Sequence, residues 1–142
     1  MSKLKFDSVS LALFFVRWVL GLAFMMEGFH KVFTIGAVDF SREVFVGDYQ
    51  DTWIPVWFLW ALGFMFPFLE FIAGGLMCLG FRIKESLSVL GSILVIVTYG
   101  HLLKDPFFDM SGLIFSLLVL VVFILMVPRE KDGLSVDALM KK

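Results

Sequence analysis

Four apolar runs set the limits on what this chain can become. They cover residues 9–33, 53–80, 87–103 and 107–127, and few charges interrupt them. Crossing the hydrocarbon core of a bilayer takes about 20 helical residues at 1.5 Å each, so all four qualify, the third only narrowly. Hydrophobic residues make up 60% of the 142, against roughly 45–50% in soluble domains. A chain of this size has too little polar surface to hide them. The expected fold is therefore all-α, a single antiparallel bundle of four transmembrane helices, of either hand. Pro55, Pro67 and the glycines inside the runs do not argue against it, because neighbouring helices re-satisfy the backbone groups they free. Lys3 and Lys5 resemble the start of a signal peptide, but the first run outlasts an h-region and no A-x-A cleavage pattern follows.

Lysine and arginine set the orientation. Four crossings put Lys3, Lys5, Arg82, Lys84, Arg129, Lys131, Lys141 and Lys142 on one side, and only Lys31, Arg42 and Lys104 on the other. Basic residues accumulate on the cytoplasmic side of membrane proteins. Both termini and the turn "FRIKES" are thus expected in the cytoplasm, in a multi-pass protein of the cell membrane. The 34–52 loop and "KDPFFD" then face outward, with Trp53 and Trp57 at the outer interface. In that loop Val38, Phe40, Val44 and Phe45 are interleaved with Asp39, Ser41, Arg42 and Glu43. The spacing suits a short amphipathic helix over 38–46 that lies in the interface or caps the bundle; an irregular solvated loop fits equally well. Residues 128–142 follow Pro128 as a polar tail and are expected to be flexible.

Charge and cysteine usage close off other classes. Twelve basic against 13 acidic residues leave a net charge of −1, with no basic patch and no nucleic-acid-binding motif. Cys78 is the sole cysteine, so the chain has neither an intrachain disulfide nor a CxxC redox pair. It reads as a small apolar helix residue. The partners left are the lipid bilayer and other membrane or membrane-associated proteins.

A titratable side chain at bilayer depth is costly unless paired or wetted, so each one marks function or architecture. Arg17 lies nine residues past Ser8, and Glu70 ten before Gly80, which gives them nearly equal depth if the two helices end level. Arg17, Gly21, Phe24, Gly28 and Lys31 share one stripe of the first helix. Gly63, Phe66, Glu70, Gly74 and Met77 share a stripe of the second. Glycines so placed let membrane helices approach closely, and Gly75 and Gly80 add to the set. The stripes predict a buried Arg17–Glu70 pair between the first two helices, with Pro67 kinking the second one turn ahead of Glu70. Such a pair is either structural glue or part of a site.

The first run closes on "MMEGFHKVF", which carries Glu27, His30 and Lys31. Glu27 and Lys31 are i, i+4 neighbours and can pair; His30 lies about 60° beyond Glu27 round the helix. Tyr99, His101 and Asp105 arrive at comparable depth on the third run. This outer polar cluster supplies the catalytic candidates Glu27, His30 and His101. Its chemistry suits a quinone headgroup or proton transfer. Two histidines also satisfy haem ligation, and a mixed set a metal, but nothing in the sequence makes the histidines face each other. Anchoring at a water interface accounts for the same residues with no chemistry at all.

The first run reads "VRWVLGLAFMMEGFHKV" and the second "FLEFIAGGLMCLGFRIKES". An Arg, a Gly four residues on, a Gly and Lys at the outer end, then Glu, a Gly pair, Gly and a basic turn resemble the DoxX family of small four-helix membrane proteins. The resemblance covers residues 8–127 and points to Arg17, Gly21, Gly28, Lys31, Glu70, Gly74, Gly75 and Gly80. It implies a membrane subunit or partner of a redox system, of the thiosulfate:quinone oxidoreductase type in some members. Glu27 and His30 fall outside the pattern and rest on their chemistry alone. The leading expectation is a membrane component of a quinone-linked redox complex. The rival is a non-catalytic assembly or scaffold subunit whose buried charges only fix helix register. A small-solute or proton transporter is disfavoured by the lack of an internal repeat or of paired broken helices.

Overall fold

The computed structural model describes residues 7–107 and 112–140, and every regular element among them is helical. Helix α1 (Ser8–Phe29) runs through a π-helical stretch, His30–Gly36, into α2 (Ala37–Phe40), a second π-helical stretch (Ser41–Val46) and α3 (Gly47–Tyr49). The long helices α4 (Val56–Leu79) and α5 (Ile83–Lys104) follow. Then come α6 (Leu113–Met126), a 3-10 turn (Arg129–Lys131) and α7 (Val136–Met140). Three helices are long and apolar enough to cross a membrane: the run that begins with α1, then α4, then α5. With 14 residues, α6 spans about 21 Å at helical rise, less than a bilayer core. Asp109, at the start of the expected fourth run, lies outside the described residues.

Local chemistry explains the helix ends. The Asp7 carboxylate accepts the Ser10 N–H at 3.0 Å and caps α1. Gly80 ends α4 in the left-handed region (φ 68°) that glycine tolerates. The Phe81 N–H then returns to the Leu76 carbonyl and the Gly80 N–H to Met77, at 3.0 and 3.1 Å. At the other end of the molecule the first run does not stop at Phe33. It loosens into π-helix and turns at Gly36, whose φ of +94° again favours glycine.

Residues 37–49 then form a helical arm packed on the first half of α4. Ala37, Phe40 and Ser41 are buried, an i, i+3, i+4 face, while Val38 and Val44 stay exposed. The Ser41 hydroxyl donates to the Trp60 carbonyl at 3.1 Å. Gly63 makes room for it, since a Cβ there would come within 2.6 Å of Ser41 Oγ. Phe45 meets Phe66 ring to ring at 5.6 Å. The irregular-loop alternative for this segment therefore falls.

Close backbone approach fixes the register of α1 on α4. A Cβ on Gly21 would lie 2.7 Å from the Gly74 carbonyl, and one on Gly28 would lie 2.6 Å from that of Pro67. Arg17 stands against Gly80. The two helices thus run antiparallel but do not end level: α1 overhangs α4 by the nine residues that precede Arg17, about two and a half turns. Gly75 is outside this seam, at an ordinary 3.6 Å from Met25 Sδ.

The overhang is where the C-terminal tail goes, and it corrects the expectation that the tail is flexible. Residues 129–140 fold back along the start of α1, burying Asp132 and Ser135. The Ser10 hydroxyl donates to the Lys131 carbonyl at 2.8 Å and accepts the Gly133 N–H at 3.1 Å. The Asp137 carboxylate accepts the N–H groups of Arg82 and Ile83 at 3.0 and 3.2 Å. It thereby caps α5, whose first turn includes Lys84, Glu85 and Ser86 and so begins ahead of the apolar run.

Candidate functional site

The two buried charges serve different parts of the molecule. Arg17 is fully buried and is spent on the tail. Its Nη2 donates to the Leu134 carbonyl at 2.9 Å and to Asp132 Oδ1 at 3.4 Å, and Nη1 to the Met77 carbonyl at 3.4 Å. Nε lies 3.2 Å from Asp132 Oδ2, though off the hydrogen-bonding line. Burial pushes the Asp132 carboxyl above its ordinary range, while the Arg17 guanidinium pulls it the other way.

Glu70 pairs with Lys31. The ammonium lies 2.8 and 3.1 Å from the two Glu70 oxygens and 2.8 Å from Glu27 Oε1. It also sits 5.2 Å above the Phe40 ring, a cation–π distance. The predicted Arg17–Glu70 pair is therefore wrong, for two physical reasons. Because α1 overhangs α4, Glu70 is level with Gly28, and a Cβ on Gly28 would lie 3.0 Å from Glu70 Cβ. Side chains also lean toward their own helix N-terminus, so on antiparallel helices Arg17 and Glu70 lean apart while Lys31 and Glu70 lean together.

This triad forms part of the wall of a cavity of about 820 Å³. Its lining comes from α1 (Phe24, Glu27), from the arm (Phe40, Phe45, Tyr49), from α4 (Leu59, Phe66, Glu70), from α5 (Ile93, Val97, Tyr99, His101) and from α6 (Ile114, Leu117). Residues on different faces of α5, Val97 and Val95 among them, border it, so the cavity runs past the edge of that helix. Tyr49 comes in from the arm with its hydroxyl beside Gly100, and Lys104 pins the arm to α5 through Asp48 at 2.6 Å.

Of the expected polar cluster, Glu27, Lys31, Tyr99 and His101 reach this wall, and His30 and Asp105 do not. His30 is exposed because three residues past Glu27 is about 300° of helical rotation, which carries it away from the α4 face. The Asp105 carboxylate accepts the Phe107 N–H at 3.0 Å in the turn after α5. Among the described residues no group of three or more His, Cys, Asp or Glu is placed to hold a metal ion.

Asp132, Ser135 and Asp137 were missed because a polar tail after proline looks like solvent-exposed chain. A signal was present in "SVDALM": Ser135 caps α7 by accepting the Ala138 N–H at 3.2 Å, ahead of apolar Leu139 and Met140. Tyr49 was missed because nothing local ties it to the third run. No family model, curated protein or solved structure matches this chain.

Proposed function

We propose that this chain is an integral membrane protein of DoxX-like design that holds a lipophilic, quinone-class molecule as the membrane component of a redox complex. In this reading α6 completes a four-helix bundle, with both termini in the cytoplasm of a multi-pass cell-membrane protein. The observation that carries the reading is the cavity of about 820 Å³, walled by aromatic and aliphatic side chains, with the Glu27–Lys31–Glu70 triad set into it. Ligand sites fall at roughly 300–1,000 Å³ and combine an apolar lining with a few placed polar groups. A quinone fits that description: the triad would meet its headgroup, while Phe24, Phe45 and Phe66 would flank the ring and the start of its chain. A bound quinone supplies two-electron, two-proton redox capacity.

The test is to purify the protein, extract it with organic solvent and look for quinone, comparing wild type with a cavity-filling Val97→Trp variant. Quinone present in the first and depleted in the second supports the reading. A folded protein with no quinone, and with no thermal stabilisation by added quinone, refutes it. The scaffold reading would then stand, favoured by Arg17, whose contacts join the tail, at Asp132 and Leu134, to the end of α4 at Met77.

A further inference from the structure

We infer that the polar end of the cavity selects a hydroxyl-bearing ring, a hydroquinone or phenol, over the corresponding quinone. This rests on the quinone-class reading above. An ammonium has three N–H donors and no acceptor, and Lys31 has three carboxylate oxygens around it: Glu27 Oε1, Glu70 Oε1 and Glu70 Oε2. Its donors are committed. The two carboxylates between them have four oxygens, each with two lone pairs, so accepting capacity remains after Lys31 is satisfied.

Formal charge points the same way. Two carboxylates against one ammonium leave an excess of one negative charge, and among the described residues Lys31 is the only lysine or arginine in the wall. At the triad a quinone carbonyl brings only lone pairs to carboxylate oxygens already rich in them. A hydroxyl brings an O–H, and a hydrogen bond to a charged acceptor is one of the stronger kinds. A cationic ligand would also answer the excess charge, but it would have to approach Lys31, which already stands between the carboxylates. A neutral donor avoids that repulsion. Phe40 under the ammonium and Phe66 one turn from Glu70 make this end suited to a flat ring. Exposure falls from 48% at the Glu27 side chain to 15% at Lys31 and 3% at Glu70, so the acceptor at the inner end, Glu70, is the one shielded from competing water.

The experiment uses the full chain in lipid nanodiscs, with partition into empty nanodiscs subtracted. Four probes carry the same decyl chain: a benzoquinone, its hydroquinone, the hydroquinone dimethyl ether and decyltrimethylammonium. The hydroquinone should bind at least about tenfold tighter than the quinone or the ether, the worth of one hydrogen bond to a charged group. Glu70→Gln should erase most of that advantage. Glu27→Gln, at a half-exposed position, should narrow it and serves if Glu70→Gln does not accumulate. Equal or tighter binding of the quinone overturns the inference and leaves the quinone-class reading in place. Tightest binding of the ammonium compound overturns it in favour of a cation site. Binding of none of the four removes both the inference and the reading beneath it.

Discussion

Replacing Asp132 with Ala tests whether the tail is part of the folded molecule. Arg17 is fully buried and meets two carbonyls, Met77 and Leu134, besides the Asp132 carboxylate. Without the carboxylate, a guanidinium that cannot lose its proton is left in a low-dielectric setting with two neutral acceptors. Breaking a buried ion pair from one side costs roughly 3–5 kcal/mol. For a chain of about this length 1 kcal/mol moves the unfolding midpoint by about 2–4 °C, so the loss should be roughly 6–20 °C. Arg17→Met should cost less, because the carboxylate it strands can take up a proton and its position near the chain end admits water. Combining Arg17→Met with Asp132→Ala removes both charges, and the double variant should be no less stable than Asp132→Ala alone. Thermal unfolding of the four proteins in one detergent, followed by tryptophan fluorescence, gives the coupling directly. Single effects that add to within about 0.5 kcal/mol would refute the pairing. A loss below about 1 kcal/mol for Asp132→Ala would refute the docked tail itself, since surface changes fall in that range.

Gly74 and Gly75 should respond to alanine with opposite signs. A Cβ on Gly74 would lie 2.5 Å from the Met25 backbone nitrogen and must force the helices apart, at about 1–3 kcal/mol. On Gly75 it meets only Met25 Sδ at 3.6 Å, so Gly75→Ala should gain up to about 1 kcal/mol of helix propensity, read in the same unfolding assay. Because the Asp132 carboxyl titrates above its ordinary value, folding takes up a proton between about pH 4 and that raised value. Stability should fall as pH rises through the window, and midpoint-against-pH curves should be flatter for Asp132→Asn, Arg17 staying charged throughout. In a Cys78→Ala background, cysteines placed at exposed Asp51 and Leu139 should differ in labelling by an impermeant thiol reagent on intact cells, only the first reacting. Equal labelling would remove the orientation read from the basic residues.

The parts of the structure legible in the sequence are those governed by helical periodicity. Arg17, Gly21, Phe24 and Gly28 lie on one buried face of α1, and Gly63, Phe66, Glu70, Gly74 and Met77 on one buried face of α4, as a 100° step per residue requires. Periodicity gives the face of a helix but not how far one helix slides along its neighbour. Counting Arg17 and Glu70 from the ends of their apolar runs assumed level ends, and the tail made that assumption fail. A segment that packs against the overhang of α1 has no apolar run of its own; it is held by backbone hydrogen bonds to Ser10 and by two aspartates. The arm at 37–49 was half legible, since its buried face carries a serine and an alanine beside Phe40, a weak apolar signal. The cavity was not legible at all, because it is a space left between elements from five parts of the chain.

One level of the molecule ties the register to the cavity. Gly28 stands against Pro67 and Phe71 on α4, and Glu70 lies beside that contact. Without an N–H, Pro67 leaves the carbonyl of Gly63 without its intrahelical donor, on the turn where Ser41 of the arm packs against Gly63 and donates to the Trp60 carbonyl. The arm in turn places Phe40 beneath the Lys31 ammonium and Phe45 against Phe66. Gly28 brings α1 close enough for Lys31, one turn further along, to lean back and reach Glu70 at 2.8 Å. A larger residue at position 28 would separate the helices at the level of the triad, whereas one at position 21 would do so about 10 Å away along the axis. The glycines of the seam are therefore not interchangeable: Gly21 and Gly74 hold α1 to α4, and Gly28 also sets the distance between the charges at the polar end of the cavity.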